Sequence, residues 1–145
     1  MPQNSTILVA DDDPNDVFFL RRAFQKAGLP HHLVEVSDGQ SAVDYLSGNA
    51  PFGNRAQHPL PDLLLLDLKM PRMTGFEVLA WLQTQPQLDQ MPVVVLSGSN
   101  QPRDIEQVRS LGASDYKVKP VEFDELLNLV RHLDERWLRT SPRSS

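Results

Sequence analysis

The chain has 145 residues, 40% of them hydrophobic and 23% charged, a composition that suits one globular domain built around one core. The net charge of −5 argues against nucleic-acid binding, which needs a basic patch, and the absence of cysteine excludes disulfides and thiolate metal sites. No apolar run approaches the roughly 18 residues that span a membrane, and the polar N-terminus is unlike a signal peptide, so we expect a cytoplasmic protein with no membrane partner.

The first half of the chain alternates short apolar runs with segments of helical periodicity. Thr6 to Ala10 is apolar and β-branched, which predicts a buried strand. Asp followed by Pro then predicts a helix start, because Asp accepts hydrogen bonds from free backbone N–H groups and Pro fits the first turn. The predicted elements are a strand over 6–10, a helix from Asp13 to Gly28, a strand over 32–36, a short helix ending near Gly48 and a surface loop over 49–61. The loop is long for a compact domain, which makes it a candidate recognition element.

The second half begins with the most apolar strand. Leu63 to Leu66 are four consecutive leucines, typical of a strand buried on both faces, and Asp67 follows directly. The later predicted elements are a helix over 75–82, a strand over 93–96, a helix from Pro102 to Gly112, an edge strand over 115–118, a last helix over 123–138 and a disordered polar tail over 139–145. We therefore expect a single domain over 1–145 with its core at about 6–138.

Five strands alternating with five helices predict an α/β fold, a doubly wound (βα)5 arrangement around a five-stranded parallel sheet. In the flavodoxin-like strand order 2-1-3-4-5, the first and third strands are neighbours and a crevice opens at their carboxyl ends. Polar residues come at this same edge of the sheet: Asp11 and Asp12 after the first strand, Asp67 after the third, Ser97 after the fourth and Lys119 after the fifth.

Three carboxylates at one edge repel one another by roughly 4 kcal/mol per pair at an intermediate dielectric, so the site needs positive charge. Oxygen ligands without Cys or paired His favour a hard divalent ion such as Mg²⁺. A carboxylate beside Mg²⁺, a lysine and a hydroxyl suits phosphoryl transfer, with Asp67 as nucleophile and Lys119 and Ser97 stabilising charge. Asp67 alone could equally cap the following loop, and Asp11 and Asp12 could be helix-start acids. Their shared edge favours the functional interpretation.

Three segments resemble the receiver domain of two-component response regulators, and the resemblance extends over about residues 6–138. They are Ile7 to Pro14 with its three aspartates, Leu65 to Gly75 around Asp67, and Tyr116 to Pro120. The resemblance implies that Asp67 is phosphorylated by the phosphohistidine of a histidine kinase. It further implies that Asp12, Asp67 and the Lys69 carbonyl bind Mg²⁺, with Asp11 assisting through a bound water. Lys119 and Ser97 would contact the phosphoryl oxygens. Ser97 and Tyr116 would form the switch pair.

A finer resemblance is to the single-domain regulators that serve phytochromes, which also have a long loop and a C-terminal Trp-Leu pair. It implies a sensor kinase, which could be a phytochrome, or a phosphotransfer protein as partner, and a homodimer through the last helix and strand. Trp137 can equally be a core residue that covers the sheet edge. The arginines near the C-terminus are interrupted by acids, so we interpret them as a solvated helix face: Arg131, Arg136, Arg139 and Arg143.

Two functions of other classes compete with a stand-alone receiver. A hydrolase of the haloacid dehalogenase type also uses an Asp after a strand, but that class requires a second Asp two residues later, where this chain has Lys69. A binding module is the other alternative, either a receiver that no longer accepts phosphate or a flavodoxin-like protein, and the three acids after the first strand oppose a phosphate-binding loop there. We expect a phosphoacceptor that catalyses its own phosphorylation and dephosphorylation, and not an enzyme that turns over a substrate.

Overall fold

The computed structural model describes residues 5–138, so the tail predicted over 139–145 lies outside the described residues. Within this range five parallel strands form one sheet in the order β2-β1-β3-β4-β5, which confirms the predicted fold and strand order. The edge position predicted for the fifth strand is also confirmed. The strands are β1 (Thr6–Ala10), β2 (His32–Val36), β3 (Leu63–Leu66), β4 (Val93–Ser97) and β5 (Asp115–Val118).

The helices follow the strands one by one: α1 (Pro14–Lys26), α2 (Gly39–Ser47), α3 (Gly75–Leu82), α4 (Pro102–Ser110) and α5 (Phe123–Leu133). None of the helices in the described range is long and apolar enough to cross a membrane. The last helix was predicted to continue to 138, but from Asp134 to Leu138 the backbone widens into a π-helical turn. Asp134 at this point pairs with the half-buried His31 at 2.7 Å, and Leu138 packs into the core.

The four leucines of β3 explain why this strand is apolar throughout. Successive side chains of a strand point to opposite faces of the sheet, and here helices cover both faces. Leu63 and Leu65 pack with α1 and α5 on one face, while Leu64 and Leu66 pack with α2, α3 and α4 on the other. All four are at most 1% exposed. β3 therefore sits at the centre of the molecule, and its carboxyl end is the natural place for a site.

The long loop before β3 consists mostly of exposed and half-buried residues, and side chains hold it in place. The Arg55 guanidinium donates hydrogen bonds to the backbone carbonyl oxygens of Tyr45, Leu46 and His58 at 2.8–3.1 Å. Phe52 and His58 pack against the Tyr45 ring, and the Tyr45 hydroxyl donates to a loop carbonyl. The loop thus has a defined shape, while its role in recognition stays a prediction.

Candidate functional site

Three aspartates meet at the carboxyl ends of β1 and β3. Carboxylate oxygens of Asp11, Asp12 and Asp67 lie within 4.8 Å of one another. The backbone N–H of Asp67 donates to the Ala10 carbonyl, and that of Asp11 donates to the Val36 carbonyl, so the strand pairing continues past the strand ends and holds both residues. Asp11 and Asp67 are buried and Asp12 is exposed. The trio predicted from the sequence is therefore assembled.

The Lys119 ammonium lies among these carboxylates, although β5 is separated from β3 by β4. Its Nζ is 3.0 Å from Asp11 Oδ2 and 3.1 Å from Asp67 Oδ2. Its shortest contact, 2.6 Å, is to Oδ2 of Asp16, a residue that the sequence analysis did not select. Asp16 is in the first turn of α1, where an acid is already explained by the favourable charge of a helix N-terminus. The sequence therefore offered no signal for its contact with the lysine.

Burial and charge shift the proton affinities within this cluster. Burial raises the pKa of Asp11 to about 6, and the nearby Asp67 carboxylate adds to the rise, against the hydrogen bond from the Asp13 N–H and the contact with Lys119. Burial alone would lower the pKa of Lys119, but its close contacts with the carboxylates of Asp16, Asp11 and Asp67 together outweigh burial and raise it. The lysine is thus a fixed positive charge. Its single positive charge does not neutralise the several carboxylates around it, so the site can accommodate a further cation.

Ser97 and Tyr116 are linked to each other through Ser99. Ser97, the last residue of β4, is 1% exposed, and its Oγ accepts a hydrogen bond from the Ser99 N–H at 3.2 Å. Its carbonyl accepts from the Lys119 N–H at 2.8 Å, which ties the end of β4 to the lysine. The Tyr116 hydroxyl donates to the Ser99 carbonyl at 2.6 Å. The switch role of Ser97 and Tyr116 stays a prediction.

The loop that follows Asp67 is closed tightly onto it. The Gly75 N–H donates to the Leu68 carbonyl at 3.0 Å, and a Cβ built on Gly75 would lie 2.3 Å from the Asp67 carbonyl oxygen. Lys69 is exposed in this loop, and its N–H is 3.5 Å from Asp67 Oδ1. The role of the Lys69 carbonyl as a metal ligand stays a prediction. The backbone here permits no side chain at Gly75.

An ion pair between Arg72 and Asp38 joins the loop after β3 to the loop between β2 and α2. Arg72, at φ +67°, donates to Asp38 Oδ2 at 2.8 Å, and Asp38 also caps the N-terminus of α2 through the Ser41 N–H. The hydrogen bonds from Ser41 and Arg72 lower the pKa of Asp38 in spite of its burial. The loop after β3 is therefore held from two sides.

A cavity of about 250 Å³ opens beside the acid cluster, between α1 and the segment that follows β5. Its polar lining includes Asp16, Asp67 and Lys119, and most of the other lining residues are apolar, among them Phe19 and Leu126. Phe19 is 49% exposed and its neighbour Phe18 54%, while Val121 is 93% exposed. The approach to the cluster is thus bordered by exposed apolar side chains.

Comparison with known proteins gives a consistent result. A family model described as the response regulator receiver domain matches residues 7–131. The probable methanogenesis regulatory protein FilR2 of Methanothrix harundinacea is 33% identical over 91% of this chain and 83% of its own length, and the response regulator Rcp1 of Synechocystis sp. is 31% identical over 92% and 89%. The structure is similar to those of several solved regulators. The phosphorylated cyanobacterial phytochrome response regulator RcpA (34% identity, 99% and 100% coverage) has a TM-score of 0.87, and RPA3017 in red light signaling of R. palustris (33%, 97% and 99%) has 0.88.

Proposed function

Because this chain belongs to the response regulator receiver family, we propose that its Asp67 accepts a phosphoryl group from a sensor histidine kinase and that this modification changes partner binding. The observation that carries the assignment is the environment of Asp67: it directly follows the central strand, lies 3.1 Å from the Lys119 ammonium and shares its site with two further aspartates. These are the groups that a phosphoacceptor carboxylate needs, namely a fixed cation and ligands for a second one.

In the proposed transfer, a carboxylate oxygen of Asp67 attacks the phosphorus of the kinase's phosphohistidine. The P–N bond breaks, and its electron pair stays on the imidazole nitrogen. Lys119 neutralises charge on the phosphoryl oxygens, and the Ser97 hydroxyl donates to one of them. Hydrolysis of the acyl phosphate by water later restores the carboxylate and releases phosphate, so the chain undergoes a cycle of modification and does not turn over a separate substrate.

The acid cluster suits a divalent metal, and we assign it to Mg²⁺. Its donors are all carboxylate oxygens, at least two of them on strand ends, and the one lysine does not balance their charge. Asp12, Asp67 and the Lys69 carbonyl would hold the ion, with Asp11 assisting. When bound, Mg²⁺ supplies positive charge that compensates the phosphoryl oxygens. The Mn²⁺-bound form of Rcp1, 28% identical to this chain with a TM-score of 0.82 over 97% of this chain and 99% of that one, supports a divalent site in a relative.

Mg²⁺ affinity should fall as the pH drops through about 6, because the raised pKa of Asp11 means that the buried carboxyl holds a proton that the metal must displace. One pH unit below that pKa, about tenfold weaker binding is expected. The sign for stability is opposite. Because the pKa of Asp11 in the folded chain lies above the ordinary aspartate value of 3.8, the metal-free fold loses stability as the pH rises from about 4 to about 6. Calorimetric titration with Mg²⁺ from pH 5 to 8 measures the first effect.

The control for this titration is Asp11→Asn, which should bind Mg²⁺ more weakly and without the dependence around pH 6. An affinity of the wild type that stays constant from pH 5 to 8 would contradict the assignment of Asp11 to the metal site.

The exposed apolar border of the site supports a protein partner. We propose that the kinase packs against Phe19 on α1 and Val121 after β5, two exposed apolar side chains that line the cavity beside Asp67, when it delivers its phosphoryl group. RcpA is described as a phytochrome response regulator, and RPA3017 is described in red light signaling. We therefore propose a phytochrome kinase, with a phosphotransfer protein as the alternative, in the cytoplasm. The homodimer through α5 and β5 stays a prediction. Trp137 packs against the core, which supports its interpretation as a core residue.

The direct test uses the chain itself and acetyl phosphate as a small phosphodonor, with intact mass as the measurement. With Mg²⁺ we expect one added phosphoryl group, and with a chelator in place of Mg²⁺ none. A chain that stays unmodified with acetyl phosphate and with a kinase would favour the binding module. Rapid release of phosphate from many phosphomonoesters would favour the hydrolase.

A further inference from the structure

The Lys119 ammonium has one contact that the proposed phosphoryl chemistry does not require. Asp16 Oδ2 lies 2.6 Å from Nζ, closer than Asp11 or Asp67. The Asp16 side chain is 38% exposed and that of Lys119 21%, so the pair lies at the edge of the site and not in its interior. The ammonium donates hydrogen bonds to Asp16 and Asp67 and forms an ion pair with Asp11 at 3.0 Å.

Asp16 also differs from Asp11 and Asp67 because it does not belong to the acid trio that a divalent cation would neutralise. Asp11 and Asp67 belong to the trio whose oxygens lie together, whereas Asp16 is placed by the first turn of α1. A divalent cation held by the trio would offset the charges of Asp11 and Asp67 and weaken their attraction for the lysine. Asp16 would then be the carboxylate that attracts Lys119 most strongly.

We infer that Asp16 is a positioning residue that competes with the phosphoryl group for the Lys119 ammonium and thereby weakens the hold of the acceptor site on that group. The inference rests on the proposed function, because it takes Asp67 as the acceptor and Lys119 as its cation. When phosphoryl oxygens arrive at Asp67, the lysine must leave Asp16 or be shared with it, and either course reduces the affinity for the phosphoryl group.

The test measures the affinity for beryllofluoride, a mimic of the phosphoryl group, by calorimetry at saturating Mg²⁺. Asp16→Asn should bind it about threefold to fivefold more tightly than the wild type, the range expected for removing a partly exposed ion pair. Asp16→Glu restores a carboxylate within reach of the lysine and should return the affinity towards the wild-type value. Thermal unfolding followed by circular dichroism checks that each variant is folded.

Asp13→Asn is the matched control, because it removes the same charge from the same end of α1. Asp13 is the N-cap, its carboxylate accepts the Asn15 N–H at 2.9 Å, and Asn caps helices equally well. It should leave the affinity for beryllofluoride unchanged. Equal gains in Asp13→Asn and Asp16→Asn would overturn the inference, since the effect would then be general relief of repulsion and not release of Lys119.

The remaining outcomes separate the inference from the function on which it rests. A wild type that binds beryllofluoride while Asp16→Asn binds it equally or more weakly overturns the inference alone. A wild type that neither binds beryllofluoride nor gains a phosphoryl group from acetyl phosphate overturns the proposed function, and the inference with it.

Discussion

Asp67→Asn should abolish the phosphoryl adduct that the wild-type chain forms with acetyl phosphate and Mg²⁺. An amide has nearly the same shape as the carboxylate, but its oxygen is neutral and is a poor nucleophile towards phosphorus. The substitution also removes the negative partner 3.1 Å from the Lys119 ammonium and one charge of the acid trio. Intact mass of both proteins under identical conditions measures the adduct, and we expect complete loss.

The fold of Asp67→Asn should be retained, because the backbone N–H of residue 67 still donates to the Ala10 carbonyl. Asp89→Asn is a suitable control. Asp89 is exposed and precedes β4, so it lies at the amino ends of the strands and not at the carboxyl ends where Asp67 lies. This variant should be labelled like the wild type. An adduct of wild-type size on Asp67→Asn would place the acceptor on another residue, which fragmentation of the labelled protein would identify.

The sequence allowed most of this site to be predicted because its residues end strands. Once five strands alternate with five helices, the carboxyl ends share one edge, so Asp11, Asp67 and Lys119 are all expected there, with Asp11 and Asp67 on neighbouring strands. The burial of Asp11 and Asp67, and hence the raised pKa of Asp11, follows from their position directly after the buried strands β1 and β3. Continuous apolar runs and helical periodicity carry this information without any knowledge of side-chain contacts.

Contacts between loops and helices could not be predicted in the same way. Asp16 reaches Lys119 only because α1 is rotated so that its first turn faces the end of β5, and periodicity does not fix that rotation closely enough. Arg55 binds three carbonyl oxygens, which depends on the path of a loop that has no repeating pattern. The pairing of Arg72 with Asp38 joins two loops 34 residues apart in the sequence. Such polar contacts are visible only once the backbone is in place.

The π-helical turn at 134–138 is a similar case. Helical spacing predicted that Trp137 and Leu138 continue the last helix, and their apolar character does place them against the core. The local widening at Asp134 coincides with its contact to His31, whose Nδ1 accepts the Ser5 N–H and which therefore presents Nε2–H to the carboxylate. A pair 103 residues apart in the sequence leaves no mark on the local pattern.

Gly75→Ala should cause the second large effect, on stability and on the site together. The added Cβ would lie 2.3 Å from the Asp67 carbonyl oxygen and 2.8 Å from the Leu68 Cα, and both are backbone atoms that no side-chain rotation can move. Alanine favours a helix by about 1 kcal/mol over glycine, but relief of the clash requires the loop to shift. We expect a net loss of about 2–3 kcal/mol in the free energy of unfolding, within the range for overpacked sites. Urea denaturation measures it.

Because the clash involves the carbonyl of the acceptor residue itself, relief of it also displaces the Asp67 carboxylate from Lys119 and from the other two aspartates. Gly75→Ala should therefore bind Mg²⁺ more weakly and gain a phosphoryl group more slowly even under conditions in which it is fully folded. Gly53→Ala provides the control, since a Cβ there would meet its nearest neighbour, the Gly48 carbonyl oxygen, at an ordinary 3.4 Å, and Gly53 lies in the loop before β3 whereas Asp67 follows that strand. Loss of stability with unchanged Mg²⁺ affinity would mean that the loop yields without moving Asp67, and the close approach of Gly75 would then serve the fold and not the site.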